Sequence, residues 1–302
     1  MTAHKTLVTS APAGADIQGV KTIVQEATPK LLVEVPSETK LRRFMDLPKL
    51  FDLILNNRLT LTRLGKLIDG DPFECASTKD YGRFSHDDLL KLATELGRDS
   101  AIVRSRASTI QYDPMPSWDR SVEIALAEEI NSIHPLKLES TVWSWEFERL
   151  KSSLKCCCWY GGEKDSDAMW RIYASHLGVA ITTSVQRLEQ SIRSIAVVGN
   201  QIAPTFHISA VSYDDKVIKS PRPWLVKREA FIHEQEVRLW TDWYSFSAHV
   251  TVDLSELVES IEITPFAPEW QANTVRAAVQ ALLGQKSSSI PVLISEHMRR
   301  RV

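Results

Sequence analysis

Phe231-Ile232-His233-Glu234-Gln235-Glu236-Val237-Arg238-Leu239-Trp240 is the stretch on which both the fold and the candidate site turn. Side chains alternate between the two sides of a strand. An extended backbone would therefore put Phe231, His233, Gln235, Val237 and Leu239 on one face, and Ile232, Glu234, Glu236, Arg238 and Trp240 on the other. Two acids and a base then stand in line, with neighbours about 7 Å apart. Coiled into a helix, the same residues would send Glu234 and Glu236 well apart. The expectation is a strand that gathers the acids on one face.

Segments on either side fit a sheet with helices packed on it. Leu41-Arg42-Arg43-Phe44-Met45 alternates as a strand ending at Asp46, and Pro48 suits the first turn of a helix with Leu50, Phe51, Ile54 and Leu55 as its apolar stripe. Asn56-Asn57 stops that helix, and Leu59-Thr60-Leu61-Thr62 alternates again. Cys156 to Tyr160 reads as a buried strand, Ser166 as the cap of a helix through Met169, Trp170 and Tyr173, and Gly178 to Thr183 as a further strand. Helices are expected over Val185 to Ile192 and Val275 to Leu283, and strands over Val211 to Tyr213 and Ile290 to Ile294. The alternation predicts a mixed α/β (α+β) fold, a central mixed sheet with flanking helices. Leucine spacing in residues 86–97, followed by helical patterns to residue 152, predicts a mostly helical insertion at about 84–153. Residues 1–38 read as a poorly ordered leader and 39–302 as one domain.

Composition narrows the class. At 302 residues the chain can bury roughly three quarters of its unfolded surface, so it needs no metal or disulfide to hold a core. Its 43% hydrophobic and 25% charged residues are ordinary for a globular protein, and a net charge of −2 gives no overall attraction to nucleic acid. No stretch approaches the ~20 apolar residues of a membrane span. A cytoplasmic protein is expected. Cys156, Cys157 and Cys158 alternate across a strand and lack the spacing of a zinc site, so they read with Cys75 as reduced core thiols. No phosphate loop, G-x-S-x-G or H-E-x-x-H is present.

Several pieces together resemble the bacterial family known as domain of unknown function 2971. They are Leu53 to Leu61, Gly70-Asp71-Pro72-Phe73-Glu74, Ser166 to Trp170 with Tyr173, Gly178 and Val179, and Lys227 with Phe231, Glu234, Glu236 and Arg238. Ile263 to Trp270 and Ile290-Pro291-Val292 complete the order, so the resemblance covers most of the chain. Where that family usually has Asn before Asp-Pro-Phe-Glu, this chain has Gly70. The resemblance implies no particular reaction.

A looser similarity is to ADP-ribosyltransferases. Many of them use an Arg on an early strand, a Ser/Thr-rich strand and a Glu-x-Glu segment, in that order. Here Arg43 (or Arg42), Thr182-Thr183-Ser184 and Glu234-Gln235-Glu236 follow the same order. The similarity implies NAD as cofactor, with Arg42 or Arg43 on its pyrophosphate, Thr183 and Ser184 steadying it and Arg238 beside it. Glu236, Glu234 and Tyr173 would be the catalytic set, Glu236 stabilising positive charge as nicotinamide leaves. Against this stands a structural reading in which Arg238 only neutralises Glu236. The competing functions are a nucleotide-acting enzyme, a non-catalytic binding or regulatory module, and a Mg²⁺ nuclease using Asp71 and Glu74 with Glu236, Lys227 being its one candidate lysine. His176 and His233 have no partners at metal-ligand spacing, and Arg299-Arg300-Arg301 reads as a solvated tail.

Overall fold

The computed structural model describes residues 24–70, 149–174, 177–198, 203–214, 222–242, 248–284 and 289–295. Outside these lie residues 1–23, most of the expected helical insertion, Asp71, Glu74, Cys75, His176 and the terminal arginines. In chain order the described elements begin with β1 (Val24–Ala27), β2 (Lys30–Val33), β3 (Lys40–Met45), α1 (Leu47–Asn56), β4 (Arg58–Thr60), β5 (Thr62–Arg63) and α2 (Leu64–Gly70). A helical turn at 149–153 leads into β6 (Leu154–Tyr160), α3 (Asp167–Met169), a π-helical turn (Trp170–Ala174), β7 (Val179–Ser184), α4 (Val185–Ser191) and β8 (Ile192–Val198). Then come β9 (Thr205–Ala210), β10 (Ser212–Tyr213), β11 (Val226–Lys227), a 3₁₀ turn (Glu229–Glu234) and β12 (Glu236–Asp242). The chain closes with β13 (His249–Val252), α5 (Leu254–Leu257), β14 (Ser260–Ile263), α6 (Glu269–Leu283) and β15 (Val292–Ile294).

A nine-stranded sheet runs β15-β14-β7-β3-β6-β12-β9-β2, with β5 beside β6. It is mixed: β14 and β15 pair in parallel, as do β2 and β9, while β3, β6, β7 and β12 pair antiparallel. The expected mixed sheet with flanking helices is what the chain forms. A second sheet, β1-β8-β13-β4, covers one face of the first. The main core lies between them, formed by Leu41, Met45, Trp159, Val237 and Leu239 against Leu59, Ile195 and Val250, with α1, α4 and α6 closing its sides.

The opposite face is organised differently. Two smaller apolar clusters sit at its ends, one around Phe44, Tyr160, Met169 and Trp170, the other around Leu64, Leu154, Cys156 and Trp240. Along β6 the residues on this side run Cys156, Cys158, Tyr160, so Cys158 falls between the clusters. Charged side chains occupy the same interval.

Three expectations need correcting. Residues 24–38 do not form a loose leader: β1 pairs with β8, and β2 adds to the edge of the large sheet beside β9. Leu55 is 64% exposed and leaves the stripe of α1 to Leu50, Leu53 and Ile54. The strand expected over Phe231 to Trp240 begins only at Glu236, because residues 229–234 form the 3₁₀ turn and Gln235 takes a left-handed conformation with φ 39°. Such a φ is uncommon for a residue with a side chain. Here the Gln235 carbonyl accepts from the Gly161 N–H at 2.8 Å. Other local signals hold. Asp46 caps α1 by accepting from Lys49 N, Pro48 sits in its first turn, and Asn57 ends it in a left-handed conformation.

Candidate functional site

The sharp reversal at Gln235 builds the site. The chain leaves β11 at Lys227, makes one 3₁₀ loop and enters β12 at Glu236, which returns Glu234 and Glu236 to the residue where the loop began. Lys227 Nζ lies 2.5 Å from Glu234 Oε2 and 2.9 Å from Glu236 Oε2. The two acids do converge, but through a loop closed by a lysine and not through strand alternation.

Behind this pair Arg238 is fully buried. Its Nε and Nη2 donate to the two oxygens of Glu236 at 2.8 and 3.0 Å, and its Nη1 donates to the Trp224 carbonyl at 2.5 Å. Bidentate pairing of this kind fixes both partners. Burial alone would raise the pKa of Glu236, but the Arg238 and Lys227 charges outweigh it and hold the carboxyl down at about 2. At the outer end Tyr173 donates its hydroxyl to Glu234 Oε1 at 2.5 Å. Burial, reinforced by that hydrogen bond, raises the Tyr173 phenol above its ordinary value, so it stays protonated although the side chain is 43% exposed. Glu236 N–H donates to the Tyr213 hydroxyl at 2.7 Å, and Tyr213 is raised to about 12, chiefly by burial.

Tyr173 reaches this position from the π-helical turn, which continues α3, the short helix that Ser166 caps by accepting from the Met169 N–H. The turn packs closely on the segment after it. A Cβ at Gly178 would fall 1.8 Å from the Ala174 carbonyl oxygen, so only glycine fits there.

These groups line a cavity of about 310 Å³. Its origin is a gap in the sheet. β3 pairs with β6 only at Arg42↔Tyr160, and β5 resumes the edge at Thr62↔Cys156. Between them the strands splay, so Arg42 and Arg43 both line the cavity although they alternate on β3. Arg42 Nη1 is 3.6 Å from Asp165 Oδ1 and, though buried, has no hydrogen-bond partner among the described residues. Arg43 lies 5.9 Å over the Trp159 ring and reaches the Thr60 carbonyl at 3.4 Å; among the described residues no carboxylate pairs with it. Phe44, Trp159, Tyr160 and Tyr173 are the aromatic residues among those described that line the same cavity.

The structure thus brings together Arg42, Arg43, Tyr173, Glu234, Glu236 and Arg238. It does not bring Thr183 and Ser184. Thr183 is fully buried in β7 opposite Leu41, and the Ser184 hydroxyl accepts from the Arg187 N–H as the N-cap of α4. The hydroxyls read as cofactor contacts therefore serve the strand end and the helix start. Lys227, Lys49, Trp159 and Tyr160 were not expected at the site. In the sequence Lys227 stands out only within the family resemblance and as the candidate lysine of the nuclease reading, and its spacing of seven from Glu234 gives no periodic signal. Among the described residues no group of His, Cys, Asp or Glu is arranged to hold a metal ion, and no helix is long and apolar enough to cross a membrane. Cys156, Cys157 and Cys158 are free thiols; contact with Cys156, together with burial, raises Cys158.

No family model, no curated protein and no solved structure matches this chain.

Proposed function

We propose that the cavity between β3, β6 and the Lys227–Glu236 loop binds a nucleotide-class anion. The observation that carries this is the imbalance of charge beside aromatic rings. Among the described residues, five cations line the cavity (Arg42, Arg43, Lys49, Lys227 and Arg238) against two carboxylates, Glu234 and Glu236. Lys49 is neutralised by Asp46, and Asp165 stands near Arg42. Among the described residues, Arg43 is left as a guanidinium with no carboxylate partner, beside an Arg42 nitrogen that makes no hydrogen bond. Guanidinium groups suit phosphate oxygens and aromatic faces suit a base. A volume of about 310 Å³ lies at the small end of ligand pockets and accommodates one nucleotide unit.

In this reading Glu236 and Arg238 are the buried frame of the site. Tyr173, whose proton is given to Glu234, presents a hydroxyl lone pair to ligand donors. The catalytic form of the reading is ADP-ribosyl transfer from NAD. Its support is an ionised Glu236 at the cavity wall, where a fixed negative charge favours the cation that forms as nicotinamide departs. That charge is already matched by Arg238 and Lys227, which weights the reading toward binding.

A melting-temperature screen with AMP, ADP, NAD, inorganic phosphate and Mg²⁺ tests the proposal, since a ligand at 100 times its Kd stabilises the native state by about 2.7 kcal/mol. Nucleotides should raise Tm and Mg²⁺ alone should not. If no nucleotide shifts Tm at millimolar concentration, the proposal fails. Nicotinamide release from NAD, lost in Glu236→Gln, separates the catalytic form from simple binding.

A further inference from the structure

A second cavity of about 380 Å³ adjoins the first, between β3, α1 and β4. The two share Arg43, Met45, Lys49 and Thr62 as a common wall. Their linings differ in kind. Among the described residues, four aromatic residues line the first and none lines the second. The second is walled by Asp46, Asp52, Arg58 and Thr60, and its charges are matched locally. Arg58 Nε and Nη2 hold Asp52 at 3.1 and 2.6 Å, Lys49 holds Asp46 at 2.8 Å, and Thr60 Oγ1 lies 3.4 Å from Asp52 Oδ2. The Arg58 hydrogen bonds to Asp52 keep that carboxyl below its ordinary pKa, so it stays an acceptor at neutral pH.

We infer that the two cavities form one bipartite cleft for a nucleoside diphosphate sugar. Its base would lie in the aromatic cavity, its diphosphate against Arg43 on the shared wall, and its sugar in the second cavity. Apart from Arg43 on the shared wall, the charges lining it are matched in ion pairs, and with the threonine hydroxyls they offer donors and acceptors without net charge, which is what a neutral polyol requires. A dinucleotide such as NAD would put its second ring where, among the described residues, none stands to stack on it, which favours simple binding over the NAD form of the nucleotide reading. The uncompensated cation sits on the wall common to both cavities, where the anionic link of such a ligand would pass. The inference rests on the nucleotide reading of the first cavity and adds the chemistry of the other half of the ligand.

Calorimetric titration of the full chain with AMP, ADP and ADP-glucose tests it, alongside Thr60→Phe, which fills the second cavity, and Thr60→Val, which removes only the hydroxyl. ADP-glucose should bind about tenfold or more tightly than ADP, a difference near 1.4 kcal/mol. Thr60→Phe should abolish that increment while leaving AMP affinity unchanged, and Thr60→Val should reduce it, which keeps the test intact if Thr60→Phe does not fold. AMP and ADP binding with no gain for ADP-glucose overturns the bipartite cleft and leaves the nucleotide site standing. Absence of binding by all three overturns both.

Discussion

The two edges of β6 are built in opposite ways. Toward β12 the strand is paired at seven consecutive positions, Glu236↔Tyr160 to Asp242↔Leu154, and the buried arginine on that ladder, Arg238, has a hydrogen bond from each of its three guanidinium nitrogens. Toward β3 it is paired once, and the arginine at that point, Arg42, keeps a buried nitrogen that has Asp165 at 3.6 Å but no hydrogen-bond partner among the described residues. A continuous ladder leaves no room for a ligand; an interrupted one opens a cavity whose walls are already polar. The closed edge is where charge serves the fold, and the open edge is where charge is left for something else.

The closed edge should break hardest. Glu236→Ala leaves Arg238 buried without its carboxylate and should cost about 3–5 kcal/mol in urea unfolding. A cost below about 1 kcal/mol would mean the pair is not buried in the folded protein. Replacing both as Glu236→Leu with Arg238→Met should recover much of that loss, since a buried pair exchanged for apolar groups of like volume is often neutral.

Acid should act on the same edge. The Glu236 carboxyl titrates near 4.5 when unfolded and about 2 when folded, so its contribution is complete above pH 4.5 and is lost as pH falls toward 2. That amounts to roughly 3 kcal/mol, one pKa unit being about 1.4 kcal/mol. Glu236→Gln should flatten the stability profile in this window; an unchanged slope would assign the acid sensitivity to other carboxylates, such as Asp253, which hydrogen bonds from Ser255 and Arg193 also hold at about 2.

The open edge should respond in binding more than in folding. Tyr173→Phe removes the hydroxyl given to Glu234 and should cost about 1 kcal/mol of stability. On the far side of β6, Lys155 is buried in the sheet, and burial holds it at about 8. The unfolded chain binds more protons there, so stability should rise modestly from pH 8 toward 10, a trend that Lys155→Met should erase.

How much of this was legible in the sequence follows from the range of each signal. Asp46-Leu47-Pro48, Ser166 and the apolar run at Cys156 to Tyr160 are local, and each formed the element expected of it. The reversal at Gln235 was hidden, because neither glycine nor asparagine marks it and the Gly161 contact that accompanies it comes from 74 residues earlier. Ser184 carried a readable signal, a serine directly before an apolar-periodic helix, which means a cap before it means a ligand contact. The apolar run Leu31 to Val35 is readable as a candidate strand and overlaps β2, whereas β1 has no such signal, because a four-residue edge strand owes its existence to a partner far along the chain, β8. The splay between β3 and β6 has no sequence signature, since it is the absence of pairing between two good strands.

Titration of ADP into the wild-type chain and into Arg42→Met, both first shown to melt within a few degrees of each other, reads the open edge directly. Saturable binding that weakens at least about tenfold in the variant, the loss expected for a charge-assisted hydrogen bond, is the predicted result. Equal affinity in the two proteins, or none in either, would contradict the claim that the broken ladder beside Arg42 is a place for a phosphorylated ligand.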